Sequence, residues 1–174
     1  MVLYHGCSDQ SLSPGTPTGI VTSGGSHNIS HTAGANRPDF GRGFYTTTWL
    51  HQAKNWANIR VRKLQGRHPA ARAVVLSMHV ERNSFANLQS LVFPSDRDNF
   101  YRFVTYCRGG GSPHAELAHR SSPYDVIVGP VTLAGQTIVV GHADQVSFHA
   151  AAATAAISRV VVLEVGKPMF DVSL

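Results

Sequence analysis

Seven short β-prone runs are spread along the chain with three helical stretches set irregularly among them, and this ordering limits the fold more than any other feature. "VLYH" (2–5) is stopped by "GCSD". "GFYTT" (43–47) leads straight into a helix, and "RAVVLSMHV" (72–80) reads as a buried strand. "YDVIVGPV" (124–131), "QTIVV" (136–140), "QVSF" (145–148) and "RVVVLEV" (159–165) complete the set. Two of the helices fall between strands in the first half, yet no regular β-α-β alternation develops. The class expected is therefore α+β. At 174 residues and 43% hydrophobic, one substantial core is affordable, and no Pro/Gly-rich linker divides the chain, so a single domain over 1–174 is expected.

The first helix is expected from a Thr48 cap to about Gln65, with Trp49, Ala53, Trp56, Ala57 and Leu64 at helical spacings. In the second, Ser95, Asp96 and Asp98 mark the start, Phe100, Phe103, Val104 and Cys107 form the apolar stripe, and the triple glycine after Arg108 ends it. An Ala-rich third covers 149–158. Residues 11–37 are dominated by Gly, Ser, Thr, Asn and Pro and are expected to be one long loop, a length more often functional than not.

Several function classes drop out on composition. No apolar run approaches the ~20 residues of a bilayer span. The first six residues carry no basic and apolar leader pattern, so a cytoplasmic location without membrane association is expected. Cys7 and Cys107 fit neither a disulfide framework nor a zinc knuckle, and a Cys7 nucleophile would lack an orienting third group beyond His5. His27 and His31 stand four apart without a third ligand, so no metal is expected. The net charge of +5 rests on fifteen basic residues, twelve of them arginines, which favours anionic partners. Six of the fifteen lie from Lys54 to Arg72, either as a solvated helix face or as a phosphate-binding patch.

The chemistry concentrates in "DFGRGFYTTTWLHQAKNWA" (39–57). Glycines at 41 and 43 allow close backbone approach, and Arg42 between them can reach an anion. Tyr45 on a strand and Trp56 on the following helix could flank one slot for a flat heteroaromatic ring; the plain alternative is that both aromatics are core. Arg108 could bind a pyrophosphate oxygen or simply favour the helix C-terminus. "RGGGSP" (108–113) lacks the residues of a phosphate loop and reads as a flexible connection.

"LYHG" (3–6) taken with "FGRGFYTT" (40–47), "QAKNWA" behind it, and the later "YDVIVGPV" and "DQVSFHAAAA" resembles the ADP-ribosyltransferase superfamily. The similarity is to the branch of diphtheria-type toxins and poly-ADP-ribose polymerases, and within it to a bacterial toxin-type family often paired with a small antitoxin. It runs from Leu3 to about Val161. It implies a fold of two packed, mostly antiparallel sheets with flanking helices, and the transfer of ADP-ribose from NAD to a nucleic acid or protein acceptor. His5 would bond a ribose hydroxyl, the Gly6 backbone would hold the carboxamide, and Tyr45 and Trp56 would stack on nicotinamide. Trp49 would seat its helix in the core. With Arg42, Gly43 and Arg108 beside them, these residues make up the expected NAD site.

The superfamily's third motif usually supplies a glutamate, and here the matching residue is Gln145. A glutamine can bond the ribose 2′-hydroxyl but cannot act as a general base. The expected catalytic set is therefore His5, Tyr45 and Gln145, with Glu116 and Asp125 in reserve; Asp144 would point to the opposite face of its strand. An NAD glycohydrolase and a non-catalytic binding module of the same fold are the competing expectations.

Overall fold

The computed structural model describes residues 1–12, 22–23, 26–32, 38–96, 98–110, 124–133 and 138–172. Its contacts sort the chain into two compact units, one of Met1–Ile29, Thr46–Arg82 and Ile157–Leu174, the other of Ser30–Tyr45 and Asn83–Ala156. Among the described residues there are two mostly antiparallel sheets, a small hairpin and four α-helices, so the α+β class holds. None of these helices is long and apolar enough to cross a membrane.

The first unit is built on β1 (Val2–Ser8), β5 (Ala73–Val80) and β9 (Ile157–Val165), antiparallel in the order β1-β5-β9. Strand β5 is the central one and carries the near-continuous apolar run expected of a strand without a solvent face; only His79 is exposed. Helix α1 (Leu50–Leu64) packs on β1 and β5. It does so along Ala53, Ala57 and Val61, small residues that let helix and strand come close.

That contact face is rotated from the expected stripe. Trp49 is 49% exposed and Trp56 43% exposed, so neither tryptophan anchors the helix, and the expectation that Trp49 sits in the core is corrected. The reason lies in β1. A Cβ on Gly6 would stand 2.0 Å from the Ala53 carbonyl oxygen, a clearance that only alanine-sized neighbours on the helix permit. The helix start is also one residue off. Trp49 occupies the N-cap position, and the hydroxyl that bonds its N–H is Thr47's at 3.0 Å, with Thr47 Oγ1 donating to Gln52 Oε1 at 2.9 Å. Along the helix, buried Asn58 exchanges two hydrogen bonds with the backbone of Phe170, and Lys54 bridges to Glu164 at 2.8 Å.

The second unit holds the sheet β4-β8-β7-β6, made of β4 (Phe44–Thr46), β6 (Ser90–Val92), β7 (Val126–Thr132) and β8 (Val139–Phe148). β7 and β8 are antiparallel, and β6 joins β7 in parallel. Helix α3 (Asp98–Arg108) buries Phe100, Phe103, Val104 and Cys107, the stripe expected from the sequence, against Phe40, Phe93 and Ile127.

Other boundaries moved. Residues 139–140 and 145–148 belong to one ten-residue strand, β8, whose register against β7 shifts between the Pro130–Asp144 and Thr132–Val139 pairs, where His142 takes φ 55°; 136 and 137 lie outside the described residues. The Ala-rich helix α4 shrinks to Ala151–Ala155, since β9 already starts at Ile157. The hairpin β2 (Thr22–Ser23) with β3 (Ser26–His27) corrects the expectation of one long loop over 11–37, and the short helix α2 (Arg82–Ala86) and β6 add elements where none was expected. Elements of two to five residues show no period.

Candidate functional site

Among the described residues of the second unit, Asp39, Tyr45, Arg108, Gln145 and His149 converge on one turn, residues 38 to 43. Gly41 takes φ 79° and donates its N–H to the Pro38 carbonyl at 3.1 Å, which only glycine does without strain. The turn is then held from three sides. The Tyr45 hydroxyl accepts the Phe40 N–H at 3.0 Å and donates to the Gly41 carbonyl at 2.6 Å. His149 Nδ1 bonds the Arg42 carbonyl at 2.9 Å. Asp39, almost fully buried, ties the turn to α3, β7 and β8.

Asp39 accepts five hydrogen bonds. Its Oδ1 takes Arg108 Nη2 at 2.6 Å and Nε at 3.0 Å, and its Oδ2 takes the Thr132 N–H at 3.0 Å, the Thr132 hydroxyl at 2.8 Å and Gln145 Nε2 at 2.8 Å. The Arg108 guanidinium therefore meets Asp39, and it also donates to the Thr132 hydroxyl and the Leu133 carbonyl. Arg42, by contrast, is exposed on a turn whose backbone is fixed on both sides of it. A guanidinium carried on a fixed backbone starts from a defined Cα position and can reach an anion.

Gln145 is 7% exposed and donates its second amide proton to the Pro130 carbonyl at 2.7 Å. Its Oε1 accepts no hydrogen bond among the described residues. A buried amide oxygen without a donor costs roughly 1–3 kcal/mol, so this atom marks where a ligand's hydroxyl or N–H would be welcome.

Tyr45 packs its ring against the phenylalanine cluster, 6.5 Å from Phe40 and edge-on to His149 at 6.3 Å. Burial pushes the phenol well above its ordinary 10, outweighing the Phe40 N–H bond that acts the other way, so it stays a neutral donor. The plain reading of an aromatic as core thus holds for part of Tyr45 and not at all for Trp56.

Ser147, His149, Asp39 and Thr132 were not anticipated. The Arg42 carbonyl can only accept, so His149 carries its proton on Nδ1, and Nε2 accepts from the Ser147 hydroxyl at 2.7 Å. The spacing is that of a nucleophile and its base, but Ser147 is 0% exposed, which makes the pair a brace. Gly43 belongs to the same brace: a Cβ there would lie 2.8 Å from His149 Cε1. Burial lowers the His149 pKa to about 4 from its ordinary 6.5, against the weaker pull of the Arg42 carbonyl. The unfolded chain then binds a proton the folded one refuses between pH 6.5 and 4, so stability falls as pH drops through that window and no further below it. Urea unfolding at pH 7 and pH 4.5 is expected to differ by on the order of 2 kcal/mol through this group, and His149→Gln to remove most of the difference.

The first unit places the remaining residues. His5 lies on β1 opposite Leu76, and Gly6 faces α1. Cys7 is buried, and burial pushes its thiol up to about 12, so it is a protonated core group at neutral pH. Arg60, Arg62, Lys63 and Arg67 are exposed along and beyond α1, and no acidic residue occurs from 40 to 80. Asp125 serves the edge of the second sheet, where Oδ2 accepts the Gln89 N–H at 2.9 Å. Glu116 and most of 11–37 lie outside the described residues. Among the described residues no three His, Cys, Asp or Glu side chains gather as a metal site.

No curated protein and no solved structure matches the chain. A family described as "Protein of unknown function (DUF3990)" matches residues 24–140, more than half of the 174, and spans the braced turn, Tyr45, Trp56 and Arg108. The chain therefore belongs to the DUF3990 family.

Proposed function

We propose that the protein is an NAD-dependent mono-ADP-ribosyltransferase with an ADP-ribosyltransferase-like fold, acting as an intracellular toxin on a nucleic acid or protein, with a small antitoxin as its natural partner. The observation that carries this reading is the buried Gln145 amide oxygen without a donor, held beside the turn that displays Arg42. An acceptor of that kind suits a ribose hydroxyl, and an exposed guanidinium suits a pyrophosphate. The strand-borne His5-Gly6 and the Gly-Arg-Gly-Phe-Tyr segment support the same substrate by resemblance.

NAD is the substrate, and its glycosidic bond breaks toward an oxocarbenium-like centre. The resemblance gives His5 and Gly6 the nicotinamide riboside and Tyr45 and Trp56 the nicotinamide ring; within the second unit, Gln145 would orient the ribose and Arg42 would neutralise phosphate. Arg108 acts through Asp39, which already occupies its guanidinium. The exposed Arg60, Arg62 and Lys63 of α1 suit an anionic acceptor, with phosphates giving a sequence-independent attraction.

A second reading, a non-catalytic ADP-ribose-binding module, is favoured by one fact: Gln145 cannot take a proton from a nucleophile, and the carboxylate beside it is paired with Arg108. Incubation with NAD separates the readings. A labelled macromolecule indicates transfer, free ADP-ribose indicates hydrolysis, and neither indicates a binder. Gln145→Ala and Tyr45→Ala are expected to lower NAD consumption by roughly a hundredfold or more. Tyr45→Phe keeps the ring and loses the brace, and is expected to retain most activity. Unchanged turnover in both alanine variants overturns the assigned roles.

A further inference from the structure

We infer that Asp39 is a positioning residue that locks the Gln145 side-chain amide in one orientation, so that Gln145 meets its ligand as a hydrogen-bond acceptor only; the inference rests on the functional reading above. Asp39 Oδ2 and the Pro130 carbonyl, 2.8 and 2.7 Å from Gln145 Nε2, can accept and cannot donate. The group facing both must be the NH2, which settles the orientation of an amide that would otherwise be free to flip. Both of its protons are then used, and Oε1 is what remains.

Four further hydrogen bonds hold the Asp39 carboxylate in place for this task. The Thr132 N–H and hydroxyl share Oδ2, and Arg108 fixes the other oxygen at 2.6 Å. An acceptor-only amide behaves toward a ribose hydroxyl as a glutamate would, without the charge. A glutamate at 145 would set its own oxygens against Asp39 Oδ2 and the Pro130 carbonyl, with no proton between them. Glutamine at 145 and aspartate at 39 are thus one device. The departure from the usual third-motif carboxylate follows from where this chain keeps its negative charge.

The test pairs a direct view of the amide with substrate discrimination. In the nitrogen-15 spectrum of the wild-type protein, the Gln145 side-chain NH2 is expected as two well-separated, slowly exchanging protons. A solvent-like, rapidly exchanging pair overturns the inference whether or not any variant folds. Asp39→Asn presents an amide that permits Gln145 to flip. The wild type is expected to prefer NAD over the analogue lacking the 2′-hydroxyl on the nicotinamide ribose by at least about tenfold in kcat/KM, the loss of one hydrogen bond to a fixed acceptor. In Asp39→Asn that ratio is expected to fall toward one. Equal slowing of both substrates, with the ratio preserved, would make Asp39 merely structural and sink the proposal. If the wild type neither binds nor consumes NAD, the functional reading fails, and the amide spectrum still decides the lock.

Discussion

Alanine at position 39 is expected to lower the melting temperature by about 10 °C. Truncation removes the acceptor of five hydrogen bonds and leaves the Arg108 guanidinium beside a hole, with the Thr132 N–H and one Gln145 amide proton losing their partner. Breaking a buried pair by deleting one partner costs roughly 3–5 kcal/mol, because the surviving charge stays desolvated. Arg108 keeps some solvent access, its side chain being 22% exposed, which argues for the lower end, near 3 kcal/mol. In a chain of this size each kcal/mol moves the midpoint by roughly 2–4 °C. The double variant Asp39→Leu with Arg108→Met is the informative control. If the cost of Asp39→Ala is mainly an orphaned charge, removing both charges recovers part of the loss; if the double variant melts lower still, the turn depends on the hydrogen bonds themselves. A change under 2 °C in Asp39→Ala would mean that the turn is held by Tyr45 and His149 alone.

Why Asp39 escaped notice in the sequence is instructive. It is the first residue of the most conspicuous motif in the chain, and attention falls on the glycines and arginine that follow it. Its partners lie 69, 93 and 106 residues away, at Arg108, Thr132 and Gln145, and no local pattern connects positions so far apart. His149 is four residues beyond Gln145 and was hidden by its reading as the start of an alanine-rich helix. What was legible was what repeats. The stripe of α3 and the apolar run of β5 follow periods of 3.6 and 2, or none, and burial enforces them directly.

The α1 face was misjudged for a different reason. Apolar periodicity counts large residues, and the two tryptophans dominated the stripe. The packing instead selects for smallness, Ala53 and Ala57 against Gly6, so the two alanines of the expected stripe are buried and the two tryptophans are not. Trp56, 43% exposed, is not used by the packing of its helix and keeps its proposed place against nicotinamide.

Gly6→Ala is expected to be the most damaging glycine-to-alanine change among the described residues, costing at least about 3 kcal/mol. The added Cβ would stand 2.0 Å from the Ala53 carbonyl oxygen, 2.9 Å from its carbon and 2.8 Å from the Ala57 nitrogen. All three are helix backbone, so no rotamer change relieves the clash, and α1 must move away from β1. Overpacking usually costs 1–3 kcal/mol when side chains can shift, and more when they cannot. Two other glycines calibrate the effect. At Gly129 the neighbours are Phe40 Cζ at 3.1 Å and Phe93 Cβ at 3.2 Å, which can yield by tenths of an ångström, so Gly129→Ala is expected to cost on the order of 1 kcal/mol. At Gly66 nothing lies within 4 Å, and Gly66→Ala is expected to be neutral or stabilising by roughly 0.4–1 kcal/mol, through the unfolded chain. Urea midpoints in the order Gly66→Ala, Gly129→Ala, Gly6→Ala would confirm that clearance governs the series; Gly6→Ala unfolding with the wild type would show that α1 yields freely. The same geometry bears on function. Gly6 is required for the helix to close on its strand, so activity lost in Gly6→Ala says nothing about a carboxamide contact unless NAD binding is compared at a temperature where the variant is still folded.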